Sequence, residues 1–207
     1  MRLGISFPLS HSTPEEWAEQ QAGLGCRSVV FPVQSDEPKE KIEAYRKAAQ
    51  EHDLLIAEVG IWRNALAADP AERTRVRDYC VAQLRLADEL GARCAVNVAG
   101  AFGPRWDGHY KANFTKEARQ ETVQMIREII DKADVKNTYF TIEPMPWMIP
   151  TGPQDYLRLI EEVDRDRFAV HMDIINMVSS AERYFHAEEF VDECVDLLGE
   201  RIRSCHI

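Results

Sequence analysis

The sequence predicts an α/β protein folded as a (β/α) TIM barrel, and three observations predict it. Short apolar runs rich in β-branched residues alternate with polar stretches of helical spacing along all 207 residues, the pattern of a parallel sheet covered by helices. Seven such runs at roughly 30 residues per unit match the repeat of an eight-unit barrel of about 250 residues. The loops are also lopsided. Helix-to-strand links such as Gly23-Leu24-Gly25 and Gly91-Ala92 are short, whereas Ala99–Phe114, Pro144–Gly152 and Ile174–His186 are long and hold many of the aromatics, prolines and histidines. Barrel enzymes carry their chemistry on the strand-to-helix loops of one rim.

The first predicted strand, Leu3–Phe7, precedes a helix opened by Thr13-Pro14-Glu15-Glu16. A capping residue, a first-turn proline and a glutamate three residues past the cap coincide there. The second and third strands are Ser28–Val33 and Leu54–Val59, with His52 ending the intervening helix, where an imidazole suits the helix dipole. Asp69-Pro70-Ala71-Glu72 repeats the opening signal. Val76, Tyr79, Leu84, Ala87 and Leu90 then form one apolar stripe, and Gly91 stops the helix. Cys94–Val98 is the fourth strand, and Thr115 opens a helix that turns Val123, Ile126, Ile129 and Ile130 inward. Tyr139–Ile142 is the fifth, followed by a helix from Thr151-Gly152-Pro153 carrying Tyr156, Leu157, Ile160 and Val163. Phe168–Met172 is the sixth. A last helix near Ala187–Leu198, ending at Gly199, leads into the seventh strand, Ile202–Cys205.

No eighth βα unit follows, so residues 1–207 read as a single barrel domain truncated at its C-terminus. Seven strands leave two unpaired edges, which invite aggregation. The sequence is therefore expected to be a fragment of a chain roughly 60–80 residues longer. Closure of the gap by another chain, as in a homo-oligomer, is the other option.

Composition narrows the function classes. Apolar residues make up 45% of the chain, enough for a sizeable core, and charged residues 29%. The net charge of −10 repels phosphate backbones and anionic membrane surfaces, so neither nucleic acid nor membrane is an expected partner. The five cysteines (Cys26, Cys80, Cys94, Cys194 and Cys205) are odd in number and lack any Cys-x-x-Cys pair. They read as reduced, mostly buried thiols rather than disulfides or a structural zinc site. No apolar run reaches signal-peptide length or the ~20 residues of a membrane span, and the cytoplasm is the expected location.

Three residues carry most of the functional information. Glu143 in Thr141-Ile142-Glu143-Pro144, Asp173 in His171-Met172-Asp173 and His206 each close an apolar run, at intervals of 30 and 33 residues. That interval is about one strand-plus-helix unit, so the three side chains should meet at one rim. Two carboxylates and an imidazole make an oxygen-rich site suited to Mn²⁺, Mg²⁺, Co²⁺ or Zn²⁺. A cation held there would chelate a carbonyl and the adjacent hydroxyl, acidify the neighbouring C–H by stabilising an enediolate, and leave a carboxylate to move the proton.

His171 and Asp173 share a strand face while Met172 points away. His171, Asn176, Trp147, Glu58 and Trp62 are candidate substrate contacts. Structural alternatives stand beside these readings: a salt bridge for Glu143, a turn cap for Asp173, a packed core histidine for His171, core packing for Trp62, and a polar group filling the barrel for Glu58 and for Asn97 on the fourth strand. Phe7 and His11 are weaker candidates: Phe7 could wall a sugar pocket or pack in the core, and His11 could reach substrate or face solvent. The chain has no glycine-rich phosphate loop, no Gly-x-Ser-x-Gly and no His-Glu-x-x-His.

With those residues in place, the chain resembles the xylose isomerase-like TIM-barrel superfamily, the sugar phosphate isomerase/epimerase group. The resemblance rests on Leu3–Ser6, Ile142-Glu143-Pro144, His171-Met172-Asp173-Ile174-Ile175-Asn176 and Ser204-Cys205-His206. It implies a divalent metal held by Glu143, Asp173 and His206, with a fourth ligand, a glutamate of the eighth strand, lying past the end of the chain. It also implies that Glu143 serves in proton transfer, one of the two glutamates that form the acid/base pair in ketose epimerases. Asn176 stands where ketose 3-epimerases carry a substrate-binding histidine, so that substrate class is not implied. The family also holds isomerases, inosose dehydratases and endonuclease IV-like repair enzymes, so membership does not fix the reaction.

The expected function is a metal-dependent isomerase or epimerase of a small sugar or polyol. The alternatives are a dehydratase on the same site and a non-catalytic truncated barrel. A nuclease is disfavoured by the charge.

Overall fold

The structure is a computed structural model that describes residues 1–7 and 9–207. Six parallel strands pair in sequence order: β1 (Ser28–Phe31), β2 (Leu55–Gly60), β3 (Cys94–Val98), β4 (Phe140–Glu143), β5 (Phe168–Asp173) and β6 (Ile202–His206). The helices between them are α1 (Pro14–Gly23), α2 (Lys39–Glu51), α3 (Pro70–Leu90), α4 (Lys116–Ala133) and α5 (Pro153–Val163). After β5 come α6 (Ile174–Met177), α7 (Ala181–Phe185) and α8 (Ala187–Leu198). Single 3₁₀ turns at Lys111–Phe114 and Gly199–Arg201 complete the order. No helix among the described residues is long and apolar enough to cross a membrane.

The sheet curls into an open barrel. Four strand spacings separate β2 from β6, roughly 19 Å if the sheet were flat. Yet Glu58 on β2 lies 3.3 Å from His206 on β6, and Cys94 Sγ on β3 lies 3.2 Å from Ser204 Oγ on β6. The α/β barrel class read from the sequence holds.

The seven-strand count does not hold. Leu3–Phe7 forms no strand: the Leu3 carbonyl accepts from the Arg27 and Ser28 amides, while Gly4 sits so close to the Ser28 carbonyl that a Cβ there would collide with it. The segment leans on β1 without forming a ladder, and Leu3 and Phe7 are exposed, so little apolar burial rewards extension. β1 ends at Phe31, two residues earlier than expected; Pro32 follows and has no N–H to donate.

The helix signals act as the sequence suggests. The Thr13 hydroxyl accepts from the Glu16 amide, and Glu16 Oε2 accepts from the Ser12 amide. Asp69 and Thr115 cap α3 and α4 in the same way. Gly91 ends α3 with φ 67°, the left-handed stop that glycine allows. On α4 the inward residues Val123, Ile126, Ile129 and Ile130 are all buried. On α5, Tyr156, Leu159, Ile160 and Val163 are buried, whereas the expected Leu157 is only partly so. All five residues of β3 are buried, as a strand covered on both faces requires. Cys26, Cys80, Cys94 and Cys194 are buried free thiols, and Cys205 is exposed.

Candidate functional site

β4, β5 and β6 end at Glu143, Asp173 and His206, so the three side chains stand on adjacent strand tips. Asp173 and His206 are direct register partners, as are His171 and Ser204 two residues earlier. Alternation along the strands then turns all four toward the barrel interior. Donor atoms of Glu143, Asp173 and His206 all lie within 4.8 Å of one another, close to the ~4.4 Å that two oxygen or nitrogen ligands span across one cation. Glu143 and Asp173 are buried and His206 is partly so.

Four neighbours organise the trio. The Trp62 indole Nε1 donates to Glu143 Oε2 at 2.5 Å. The Asn176 amide donates to Glu143 Oε1 at 3.2 Å and to Asp173 Oδ2 at 2.9 Å, while its backbone N–H donates to Asp173 Oδ1 at 2.8 Å. Asp173 therefore does cap the turn of α6 and still faces Glu143 with its other oxygen. His206 presents Nδ1 to Glu143 at 3.7 Å and Nε2 to Glu58 at 3.3 Å. Beneath them His171 Nδ1 lies 2.7 Å from the Ser204 hydroxyl and 3.5 Å from Glu58.

Burial and charge set the protonation of the group. Burial pushes Glu143 upward, but the interactions with His206 and Trp62 outweigh it and leave the carboxyl below its usual range. Burial raises Asp173, partly offset by the Asn176 amide, and the nearby Glu143 charge raises it further. The interactions with Glu143 and then Glu58 push His206 up to about 10 against the pull of burial. The Glu58 contact lacks hydrogen-bond alignment, and Glu58 Oε2 and His206 Nε2 stay buried without a hydrogen-bond partner. Burial holds His171 down to about 4.

Among the described residues, Glu58, Glu143 and Asp173 form no salt bridge to lysine or arginine; Glu58 and Glu143 approach His206, and Glu58 also approaches His171. Two buried, mutually repelling carboxylates beside an imidazole are costly unless a cation joins them. The donor set therefore fits a divalent metal.

The other sequence candidates fall in different places. Trp62 reaches the trio, although its backbone φ is 44°. Trp147 packs against Trp106 at 6.2 Å and His109 at 5.5 Å on the rim. Asn97 points away from the interior: its Oδ1 accepts from the Arg63 amide and its Nδ2 reaches Cys80 on α3. The alternation along β3 gives Cys94, not Asn97, to the inner face. His11 bonds the Leu9 carbonyl and the Tyr45 hydroxyl, a local tie rather than a rim contact.

Two contributors escaped the sequence reading. Ser204 fixes the His171 ring, and nothing in an isolated serine announces that. Gly60 ends β2 where a Cβ would run into the Trp62 ring; a glycine closing a strand is itself a sign of close approach.

Solved structures with this fold include sugar enzymes. The D-psicose 3-epimerase of Clostridium cellulolyticum H10 matches with a TM-score of 0.70 at 15% identity, over 91% of this chain and 66% of its own. The 3-keto-D-glucoside 4-epimerase of E. coli matches with a TM-score of 0.70 at 14% identity, over 98% and 76%. A Bacillus anthracis protein described as a 3-DHS dehydratase of petrobactin synthesis gives 0.66 at 19% identity, over 88% and 63%. The chain thus spans between 63% and 76% of these proteins' lengths, and at such identities the likeness speaks to the fold. No curated protein sequence matches the chain. Residues 18–207 match the sequence family described as xylose isomerase-like TIM barrel, and with six parallel strands curled into an open barrel the chain belongs to that family.

Proposed function

We propose that the chain carries the metal-binding rim of a sugar or polyol isomerase/epimerase. Glu143, Asp173 and His206 would hold one divalent cation, Mn²⁺, Mg²⁺, Co²⁺ or Zn²⁺. When bound, such an ion polarises a substrate carbonyl and acidifies the adjacent C–H. Glu143 is the proton-transfer group. Its carboxyl sits below the usual range, so it is ionised and ready to accept a proton at neutral pH. The Trp62 and Asn176 N–H groups hold its two oxygens, which fixes the direction of attack. Asn176, by bridging Glu143 and Asp173, also keeps the two carboxylates at a set separation. Trp147, beside Trp106 and His109, offers an aromatic wall for the apolar face of a sugar ring.

The observation that carries this reading is the convergence of three donors from three successive strand tips within 4.8 Å. The epimerase activities named for the structural relatives support a small carbohydrate as substrate. A dehydratase on the same site is the second reading, favoured by the dehydratase among those relatives. Both begin with proton removal beside a carbonyl and differ in whether a hydroxyl then leaves.

The test is incubation with Mn²⁺ and a panel of ketoses in D₂O, alongside calorimetric titration of the metal. Deuterium uptake next to the carbonyl that disappears in Glu143→Gln supports the reading. In a parallel incubation in H₂O, a product of unchanged mass marks an isomerase, and one lighter by a water marks a dehydratase. Absence of divalent-metal binding by the wild-type chain would sink both.

A further inference from the structure

One layer below the rim trio lies a second convergence. Glu58, His171 and His206 offer donor atoms that also all lie within 4.8 Å of one another. The two Glu58 oxygens approach one histidine each, at 3.5 and 3.3 Å, and the two imidazoles meet edge to face at 4.3 Å between centroids. The Glu58 and His171 side chains are only 4% and 0% exposed. Glu58 Oε2 and His206 Nε2 are buried there without a hydrogen-bond partner, and His171 Nε2 is likewise buried without one. Two of these orphaned polar atoms, Glu58 Oε2 and His206 Nε2, lie only 3.3 Å apart, a costly arrangement that calls for an explanation. Ser204 meanwhile hydrogen-bonds His171 Nδ1, the nitrogen that faces Glu58, and so fixes the ring beside it.

We propose that Glu58, His171 and His206 form a second cation position inside the barrel, one that takes a borderline-soft ion such as Zn²⁺ and competes with the rim for His206. Two imidazoles and one carboxylate favour Zn²⁺, Co²⁺, Ni²⁺ or Cu²⁺, whereas the carboxylate-rich rim suits Mn²⁺ or Mg²⁺. The two positions face different nitrogens of His206: Nε2 toward Glu58 and Nδ1 toward Glu143. A neutral imidazole has one lone pair to give, so it serves one cation at a time. Zn²⁺ in the interior therefore withdraws His206 from the rim and silences it. Only the competition rests on the proposed rim site; Zn²⁺ binding by Glu58 and His171 stands without it.

Calorimetric titration of the 207-residue chain with Zn²⁺ and with Mn²⁺, and displacement of bound Mn²⁺ by Zn²⁺ followed by electron paramagnetic resonance, test this. Zn²⁺ should displace Mn²⁺ one for one. Glu58→Gln and His171→Asn should weaken Zn²⁺ by roughly tenfold or more with no loss of Mn²⁺ affinity, which rises in Glu58→Gln as the His206 proton is released more easily, while Asp173→Asn should weaken Mn²⁺ and spare Zn²⁺. Equal Zn²⁺ affinity in the wild type and both interior variants overturns the proposal, as does a parallel loss of both metals in Asp173→Asn. Failure of every form to bind Mn²⁺, with the Zn²⁺ pattern intact, removes the rim reading and keeps the interior site. Should neither interior variant fold, X-ray absorption of wild-type bound Zn²⁺ decides: two imidazole ligands support the site and a single one refutes it.

Discussion

Trp62 and Glu143 are joined by an indole N–H···carboxylate hydrogen bond of 2.5 Å. The same ring stacks on His206 at 6.4 Å and 22°, so one side chain from the loop after β2 steadies two of the three converging donors. It does so with φ 44°, an unusual backbone conformation for a bulky residue and one that persists only where packing enforces it. Trp62→Phe keeps the ring and removes the donor. A hydrogen bond to a charged group contributes about 1.5–3 kcal/mol, and this one helps hold Glu143 below its usual range. The acidic limb of metal binding against pH should therefore move to higher pH in the variant. A limb that stays in place would remove Trp62 from any role in tuning Glu143.

Gly60 supplies the space in which that indole lies. Gly60→Ala pushes a methyl into the ring, and overpacking of this kind costs roughly 1–3 kcal/mol. The variant should unfold at lower urea, and its tryptophan emission should shift as Trp62 is displaced. Wild-type stability with unchanged emission would show that the close approach is incidental.

Metal removal should be felt in stability as well as activity. A cation at a hundred times its dissociation constant adds about 2.7 kcal/mol to the folded state. For a chain of this size that raises the melting temperature by roughly 5–10 °C. Mn²⁺ should give this rise in the wild type, a chelator should reverse it, and Asp173→Ala should abolish it. A rise that survives the Asp173 substitution would place the ion elsewhere.

His206 makes the metal-free protein sensitive to alkali. Its folded-state pKa, about 10, lies above the ordinary histidine value of about 6.5. Its contribution to stability is therefore fully present below about pH 6.5 and lost as pH rises through about 10. Urea midpoints of the chelator-treated chain should fall across that window, and His206→Asn should flatten the fall. A metal at Glu143, Asp173 and His206 competes with the same proton, so its affinity should rise with pH over the same range. Calorimetric heats that depend on the buffer would report the displaced proton.

The trio was readable from sequence because each member closes an apolar run and the runs recur at unit spacing; parallel strands then put the tips at one rim. Strand alternation likewise turned Glu58 and His171 inward. What it left open was their meeting with His206, since that depends on how far the whole sheet curls, a property no local pattern encodes. The Trp62–Glu143 bond was hidden for a different reason: it requires a left-handed backbone at a tryptophan, against local preference. Leu3–Phe7 misled in the opposite sense. Its composition suits a strand, but it leans on a single neighbour and leaves Leu3 and Phe7 exposed, so propensity was outvoted by the lack of burial.

Tyr156 connects the helix layer to the rim. Its hydroxyl is fully buried, donates to the Ile142 carbonyl at 2.6 Å and accepts from the Ile142 amide at 3.2 Å. The Ala169 carbonyl on β5 is 3.2 Å away. α5 is thereby pinned to β4 and β5, one residue before Glu143. Tyr156→Phe keeps the ring and removes those hydrogen bonds, which costs about 0.5–1.5 kcal/mol and should lower the urea midpoint at constant slope. Because Ile142 and Glu143 share a peptide bond, a loosened Ile142 should also widen the spread of Glu143 orientations and weaken Mn²⁺ binding. Loss of stability with wild-type Mn²⁺ affinity would mean that Trp62 and Asn176 alone position Glu143, and that the rim is mechanically independent of the helix behind it.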